Sequence, residues 1–292
     1  MPSAIVYLNG RYVPASEARV SVFDRGLLLG HGVFETMRAY GGGVFRLDEH
    51  LARLVHGAEN VGILLGGQQS ALKQAIGGVL EANRLTEARI RLTVTAGSSP
   101  GEPRFPAPGD PTVVVTADAV EAPTPGAYQR GFRAIVASRA RSSQSAIASL
   151  KSTSFLENLL ARAEAQEKGA DEAIILNEQR FVTEGARANV FFVHQERLLT
   201  PALECGLLRG ITRDAVIELA VEAGIVVEQT WVSLEQMAEA HEAFVTSSVI
   251  EVMPIVSMDG RPVGDGRPGD VTGVLARAYR ELVARELGLD RR

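Results

Sequence analysis

The sequence of 292 residues has one cysteine, one tryptophan and three lysines, and no apolar run in it approaches the ~18–20 residues that a membrane span needs. A lone Cys205 excludes an intramolecular disulfide and a cysteine-based metal cluster, and reads as a small buried filler. His50 and His56 are six apart, off the one-face i,i+4 spacing of helical metal ligands, so no metal is expected. The formal charge of −5 argues against a surface that coats nucleic acid. No GxGxxG and no GxxxxGK[ST] occurs, which removes the common dinucleotide and P-loop sites. Met1 to Arg11 lacks the charged and apolar regions of a secretory signal, so a cytoplasmic chain without nucleic-acid or membrane partners is expected.

What is present points to two α/β (α+β) domains, because 292 residues exceed one ordinary core. Residues 1–120 alternate strands and helices. Asn9-Gly10 between β-prone runs marks a hairpin, and Gly41-Gly42-Gly43 after Val33–Tyr40 marks a second. Asp48 reads as the cap of a helix with Leu51, Leu54, Val55 and Ala58 on its apolar face, and Ser70–Asn83 as another helix. Residues 121–131 carry two prolines and two glycines without apolar periodicity and read as a linker. Residues 132–292 form the larger domain, with strands near Arg133–Ser138, Ala173–Leu176, Val190–Val193, Val226–Gln229 and Ala243–Thr246. Its helices are expected near Ser154–Lys168, Thr212–Ala223 and Val271–Leu287.

With 27 of 30 cations being arginine, each lysine is informative. Lys73 falls on the polar side of an amphipathic helix, and Lys168 precedes Gly169 at a helix end that favours a cation. Lys151 lies between an apolar run and a helix start. It is either a solvated surface residue or a desolvated amine of the kind that forms a Schiff base. Thr183-Glu184-Gly185 through Asn189-Val190-Phe191 sets an acid and an amide around a turn. Glu184 is either a solvated turn carboxylate or a buried one seeking a cation, such as a protonated pyridine nitrogen. Leu208-Arg209-Gly210-Ile211-Thr212-Arg213 opens a helix, either with a plain threonine cap or with a phosphate cradle of free N–H groups.

Together with Val33-Phe34-Glu35-Thr36-Met37-Arg38, Glu49-His50-Leu51-Ala52-Arg53-Leu54, Thr200-Pro201 and Asp259-Gly260-Arg261-Pro262-Val263-Gly264, these segments resemble the class IV, fold-type IV pyridoxal-phosphate aminotransferases. That family includes branched-chain amino-acid aminotransferases, D-amino-acid aminotransferases and aminodeoxychorismate lyases. The resemblance runs in order over nearly the whole chain. It implies a small N-terminal α/β domain, a larger C-terminal mixed-sheet pseudo-barrel, and pyridoxal 5'-phosphate in the cleft between them.

The resemblance also assigns roles. It makes Lys151 the catalytic Schiff-base lysine, Glu184 the partner of the pyridine nitrogen, and Arg53 the phosphate arginine. Ile211, Thr212, Ser248, Val249 and Asn189 complete the cofactor set, and Arg38, Arg91, Phe34, Leu29, Leu156 and His31 the substrate side. It implies ping-pong transfer of an amino group from an amino acid to a 2-oxo acid, in a homodimer with its active site near the subunit interface. Arg38 and Arg91 match arginines of the branched-chain L-amino-acid enzymes. Leu29 and Leu156 stand where those have tyrosines, and Thr36 where they have glycine. Ala96 stands where the D-amino-acid branch has a carboxylate-trapping arginine. The lyase branch, ending in pyruvate elimination, and a D-amino-acid or (R)-amine transaminase are the alternatives.

Overall fold

The computed structural model describes residues 4–98, 102–107, 109–120 and 122–289. The ends of the expected domains, Met1–Ser3 and Asp290–Arg292, and the first linker residue, Glu121, lie outside them. The chain divides into two compact units. One holds Met1–Glu121, Leu150–Ser154 and Leu287–Arg292, and the other Ala122–Ser149 and Phe155–Glu286.

In the first unit, strands β1 (Ile5–Leu8), β2 (Arg11–Pro14), β3 (Gly32–Tyr40), β4 (Gly43–Val44), β5 (Ala88–Thr95) and β6 (Thr112–Ala119) form one sheet in the order β2-β1-β6-β5-β3-β4. Asn9 and Gly10 both adopt positive φ, 47° and 90°, as a two-residue hairpin requires. Helices α1 (Arg25–Leu29), α2 (Leu47–Asn60) and α3 (Gln69–Ala82) complete the unit. Its core packs Val33, Met37 and Ala39 of β3 and Ile90, Leu92 and Val94 of β5 with Leu51, Leu54 and Ala58 of α2. Asp48 is not the cap: α2 starts one residue earlier, behind Arg46 in the left-handed region (φ 47°), and Asp48 sits in the first turn, where its charge suits the helix dipole.

In the second unit, α4 (Pro125–Arg130) occupies the segment expected as a linker. Thr124 caps it and Pro125 opens it, a helix-start pattern that needs no apolar periodicity. Then follow β7 (Phe132–Val136), α5 (Leu156–Glu167), β8 (Glu172–Leu176), β9 (Val182–Gly185), β10 (Asn189–His194), β11 (Arg197–Pro201), α6 (Ile211–Glu222), β12 (Val226–Thr230), α7 (Leu234–Ala238), β13 (Glu242–Ser247), β14 (Glu251–Met258), β15 (Arg261–Pro262) and α8 (Asp270–Leu287). The sheet runs β12-β11-β10-β13-β14-β7-β8-β9, with β15 beside β14. Strand β9, at one end of that path, also packs against β10 and β11, so this mixed sheet curls back on itself. Ser154 does not cap α5, whose N-cap is Phe155; its hydroxyl instead meets the Gly30 carbonyl within the first unit. Among the described residues no helix is long and apolar enough to cross a membrane.

Candidate active site

The candidate residues fall into two sets, one in each unit. The first is organised by strand alternation. On β3, Val33, Met37 and Ala39 enter the core, which turns Phe34, Thr36 and Arg38 to the opposite face. The antiparallel register sets Phe34 opposite Thr93, Thr36 opposite Arg91 and Arg38 opposite Arg89 on β5. Lys151 reaches this face because its segment pairs with β3: the Phe34 N–H donates to the Lys151 carbonyl (2.8 Å), and Ser152 bridges Val33. The same pairing puts residues 150–154 in the first unit.

The Phe34 ring gathers two cations. Its centroid lies 4.9 Å from Lys151 Nζ and 3.8 Å from the Arg91 guanidinium carbon. Arg91 Nε donates to Thr93 Oγ1 at 3.3 Å. Burial, and then the charge of Arg89, lower its pKa. Arg38 stacks over Tyr40 at 4.3 Å. His31 Nε2 lies 2.7 Å from the Val61 carbonyl, at the end of α2, and Leu29 ends α1 with its side chain exposed.

Behind that face lies an arrangement that motif reading alone did not single out. Glu35, fully buried on the core-facing phase of β3, accepts from Arg53 Nε and Nη2 (2.7 Å each) and from His50 Nδ1 (2.8 Å). Burial alone would raise its pKa; the Arg53 charge and the His50 and Arg53 hydrogen bonds overcome that and hold it at about 2. Burial lowers the pKa of His50, against the pull of Glu35. The visible signal was in the string Val33-Phe34-Glu35-Thr36-Met37: an acid in phase with core residues.

In the second unit Glu184, on β9, is buried. Arg141 Nη1 donates to its Oε1 at 2.5 Å, and the Leu208 N–H to its Oε2 at 3.2 Å. Asn189 Nδ2 lies 3.5 Å from that Oε2 and donates to the Leu208 carbonyl at 2.8 Å. Glu184, Asn189 and the loop before α6 therefore form one cluster. Arg141 had no sequence signal, since it lies in a polar serine-rich loop.

Thr212 is buried in the first turn of α6 but does not cap it; the N-cap is Gly210, which has no side chain to offer. A Cβ there would crowd the Asn189 side-chain oxygen, so any larger residue would have to displace that amide from Glu184 and Leu208. Ser248 and Val249 form the turn between β13 and β14, braced by the Tyr128 hydroxyl on the Ile250 carbonyl (3.1 Å) and by Arg280 on Glu251 (3.3 Å). Leu156 opens α5 and is exposed. The other lysines are tied at the surface, Lys73 to Asp48 and Lys168 to Glu164.

In the first unit a lysine lies beside an aromatic face; in the second a carboxylate is oriented by three donors near an uncapped helix N-terminus, and these are the kinds of group that bind pyridoxal phosphate. Residues 32–258 match the family model for class IV aminotransferases. The chain is a class IV aminotransferase. It is 37% identical over 280 residues (95% of this chain, 96% of the relative) to a Methanocaldococcus jannaschii protein named, provisionally, as a branched-chain-amino-acid aminotransferase. It is 34% identical over 281 residues (96% and 98%) to the D-alanine aminotransferase of Bacillus licheniformis. The crystal structure of the Escherichia coli branched-chain amino acid aminotransferase superposes with a TM-score of 0.91 at 32% identity, covering 96% of this chain and 95% of that one. The fold is therefore the two-unit, fold-type IV architecture.

Proposed function

We propose that this aminotransferase moves the amino group of a branched-chain L-amino acid to a 2-oxo acid, with Lys151 as its catalytic residue. Its cofactor is pyridoxal 5'-phosphate. When bound, the cofactor supplies an aldehyde that takes up the amino nitrogen and a ring that delocalises the electron pair left at the substrate Cα. Lys151 would hold the cofactor through its amine, and its Nζ is the base that would move the substrate Cα proton. Glu184, oriented by Arg141 and the Leu208 N–H, would serve as the carboxylate partner of the pyridine nitrogen. Arg53, Ile211, Thr212, Ser248 and Val249 would hold the phosphate, while Asn189 fixes Glu184 to the α6 loop.

The observation that carries the reading is the Phe34 ring, with the Lys151 amine 4.9 Å and the Arg91 guanidinium 3.8 Å from its centroid. It offers an apolar wall for a hydrocarbon side chain and a cation for a carboxylate. Arg38 is the second carboxylate cation, and Leu29, Leu156 and His31 add apolar and polar wall. The exposed leucines 27–29 and 156, 159 and 160 support a homodimer that covers them and completes the substrate site. A reducing cytoplasm suits a chain whose single thiol is buried. A second reading, a D-amino-acid transaminase, is favoured by the similarity to D-alanine aminotransferases.

Rates of amino transfer to 2-oxoglutarate from L-leucine, D-alanine and an (R)-amine, run beside aminodeoxychorismate cleavage, separate the readings. L-Leucine is expected to be fastest. Faster transfer from D-alanine, or pyruvate release from aminodeoxychorismate, would overturn the proposal.

A further inference from the structure

The sheet that carries Phe34 has one conspicuous cost: an ionised carboxylate on its hydrophobic face. Glu35 lies in phase with Val33, Met37 and Ala39, all 1% exposed or less, and is itself fully buried. A carboxylate taken out of water is expensive, and an apolar residue of similar volume serves a core at least as well. An apolar core on its own has no need of a charge here.

Its surroundings show what the charge does. Three N–H donors converge on two oxygens: Arg53 Nε on Oε1, and Arg53 Nη2 and His50 Nδ1 on Oε2. The Arg53 fork is thereby fixed in plane and direction, and His50, donating from Nδ1, is fixed in one tautomer. His50 and Arg53 are three apart on α2, so they share the face turned to β3. Arg53 is also the longest and most flexible of these side chains, the one with most to lose without an anchor.

We propose that Glu35 is a positioning residue that aims Arg53, and through it fixes the cofactor phosphate. This rests on the reading that Arg53 holds that phosphate. Glutamine cannot replace Glu35, because its amide would turn a donor towards at least one of the three N–H groups already converging there. Aspartate keeps the charge but retracts it by one methylene, out of reach of the fork. Electrostatics alone predicts the opposite sign: removing a negative charge near Arg53 would strengthen the hold on a dianion.

The experiment reconstitutes the full-length apoenzyme with pyridoxal 5'-phosphate and, separately, with pyridoxal, and compares dissociation constants. The ratio of the pyridoxal constant to the pyridoxal 5'-phosphate constant isolates the phosphate contribution; a merely structural defect weakens both ligands alike and leaves it unchanged. In Glu35→Gln the ratio is expected to fall about 10- to 100-fold, the size of a lost hydrogen bond to a charged group. Glu35→Asp is expected to fall in the same direction, and decides the matter should Glu35→Gln not fold. A ratio within twofold of the wild type, or a larger one, would overturn the inference. Arg53→Ala separates the two levels. If Arg53→Ala leaves the ratio intact, the phosphate assignment of Arg53 fails; if it collapses the ratio while the Glu35 variants do not, only the role of Glu35 fails.

Discussion

Among the described residues, Glu35 in the first unit and Glu172 in the second are the most deeply buried glutamates of each, and their pKa values move in opposite directions. Glu35 of the first unit is met by the Arg53 fork and His50, and its pKa is pulled down to about 2. Glu172 of the second unit, 1% exposed, has backbone donors only: the Ala173 and Ala186 N–H groups both point to Oε1, and Oε2 has no partner among the described residues. Burial raises its pKa, and those N–H groups, with the charges of Arg187 and Arg162, offset only part of the rise. Burial therefore does not decide the charge of a carboxylate; a guanidinium in contact does. Glu172 ties the Ala186 N–H in the turn that follows Glu184, a structural task that needs no charge.

That contrast can be broken by substitution. The largest effect is expected for Glu35→Ala, which strands Arg53 and His50: a loss of about 3–5 kcal/mol by urea unfolding. Glu172→Ala leaves two buried N–H groups unsatisfied and is expected to cost about 1–3 kcal/mol in the same measurement. Glu172→Gln, which keeps an acceptor for those N–H groups without a charge, is expected to stay within about 1 kcal/mol at neutral pH. Equal losses from Glu172→Gln and Glu172→Ala would mean that Glu172 is ionised after all. Smallest is Lys73→Ala, whose pair with Asp48 is solvent-exposed, at less than about 0.5 kcal/mol.

The pH dependence carries the same contrast with opposite signs. Because the folded pKa of Glu35 lies below the ordinary value of 4.5, its contribution is present above pH 4.5 and is lost as pH falls from there towards 2. The folded pKa of Glu172 lies above 4.5, so its contribution is full below pH 4.5 and is lost as pH rises through the folded value. Unfolding of Glu172→Gln is expected to lack that second decline while keeping the acid one. A wild-type slope in this variant above pH 4.5 would assign the decline to another group.

The sequence made the main elements legible where their periodicity was strong: the Asn9-Gly10 hairpin, strands β3, β8 and β10, and helices α2, α6 and α8 follow directly from spacing and turn residues. Strand β9, a short buried run next to Glu184, has no alternation and was not separable from its turn. Helix α4 was read as a linker because its six residues bury no apolar face. Lys151, Glu184 and Arg53 stand out in the sequence through scarcity and motif order. What holds them does not. Arg141 comes from a loop 43 residues before the carboxylate it binds, and strand pairing alone brings Lys151 to Phe34. Such contacts depend on register, which a motif does not encode.

Of the three lysines, Lys151 is the one proposed to carry the cofactor, and borohydride decides it. Reduction of the holoenzyme fixes a lysine-bound aldehyde as a stable amine, and peptide mass spectrometry then locates the added mass. The mass is expected on Lys151 alone, with no labelled peptide and no visible absorption band in Lys151→Ala. Label on Lys73 or Lys168, or a band that survives in Lys151→Ala, would contradict it.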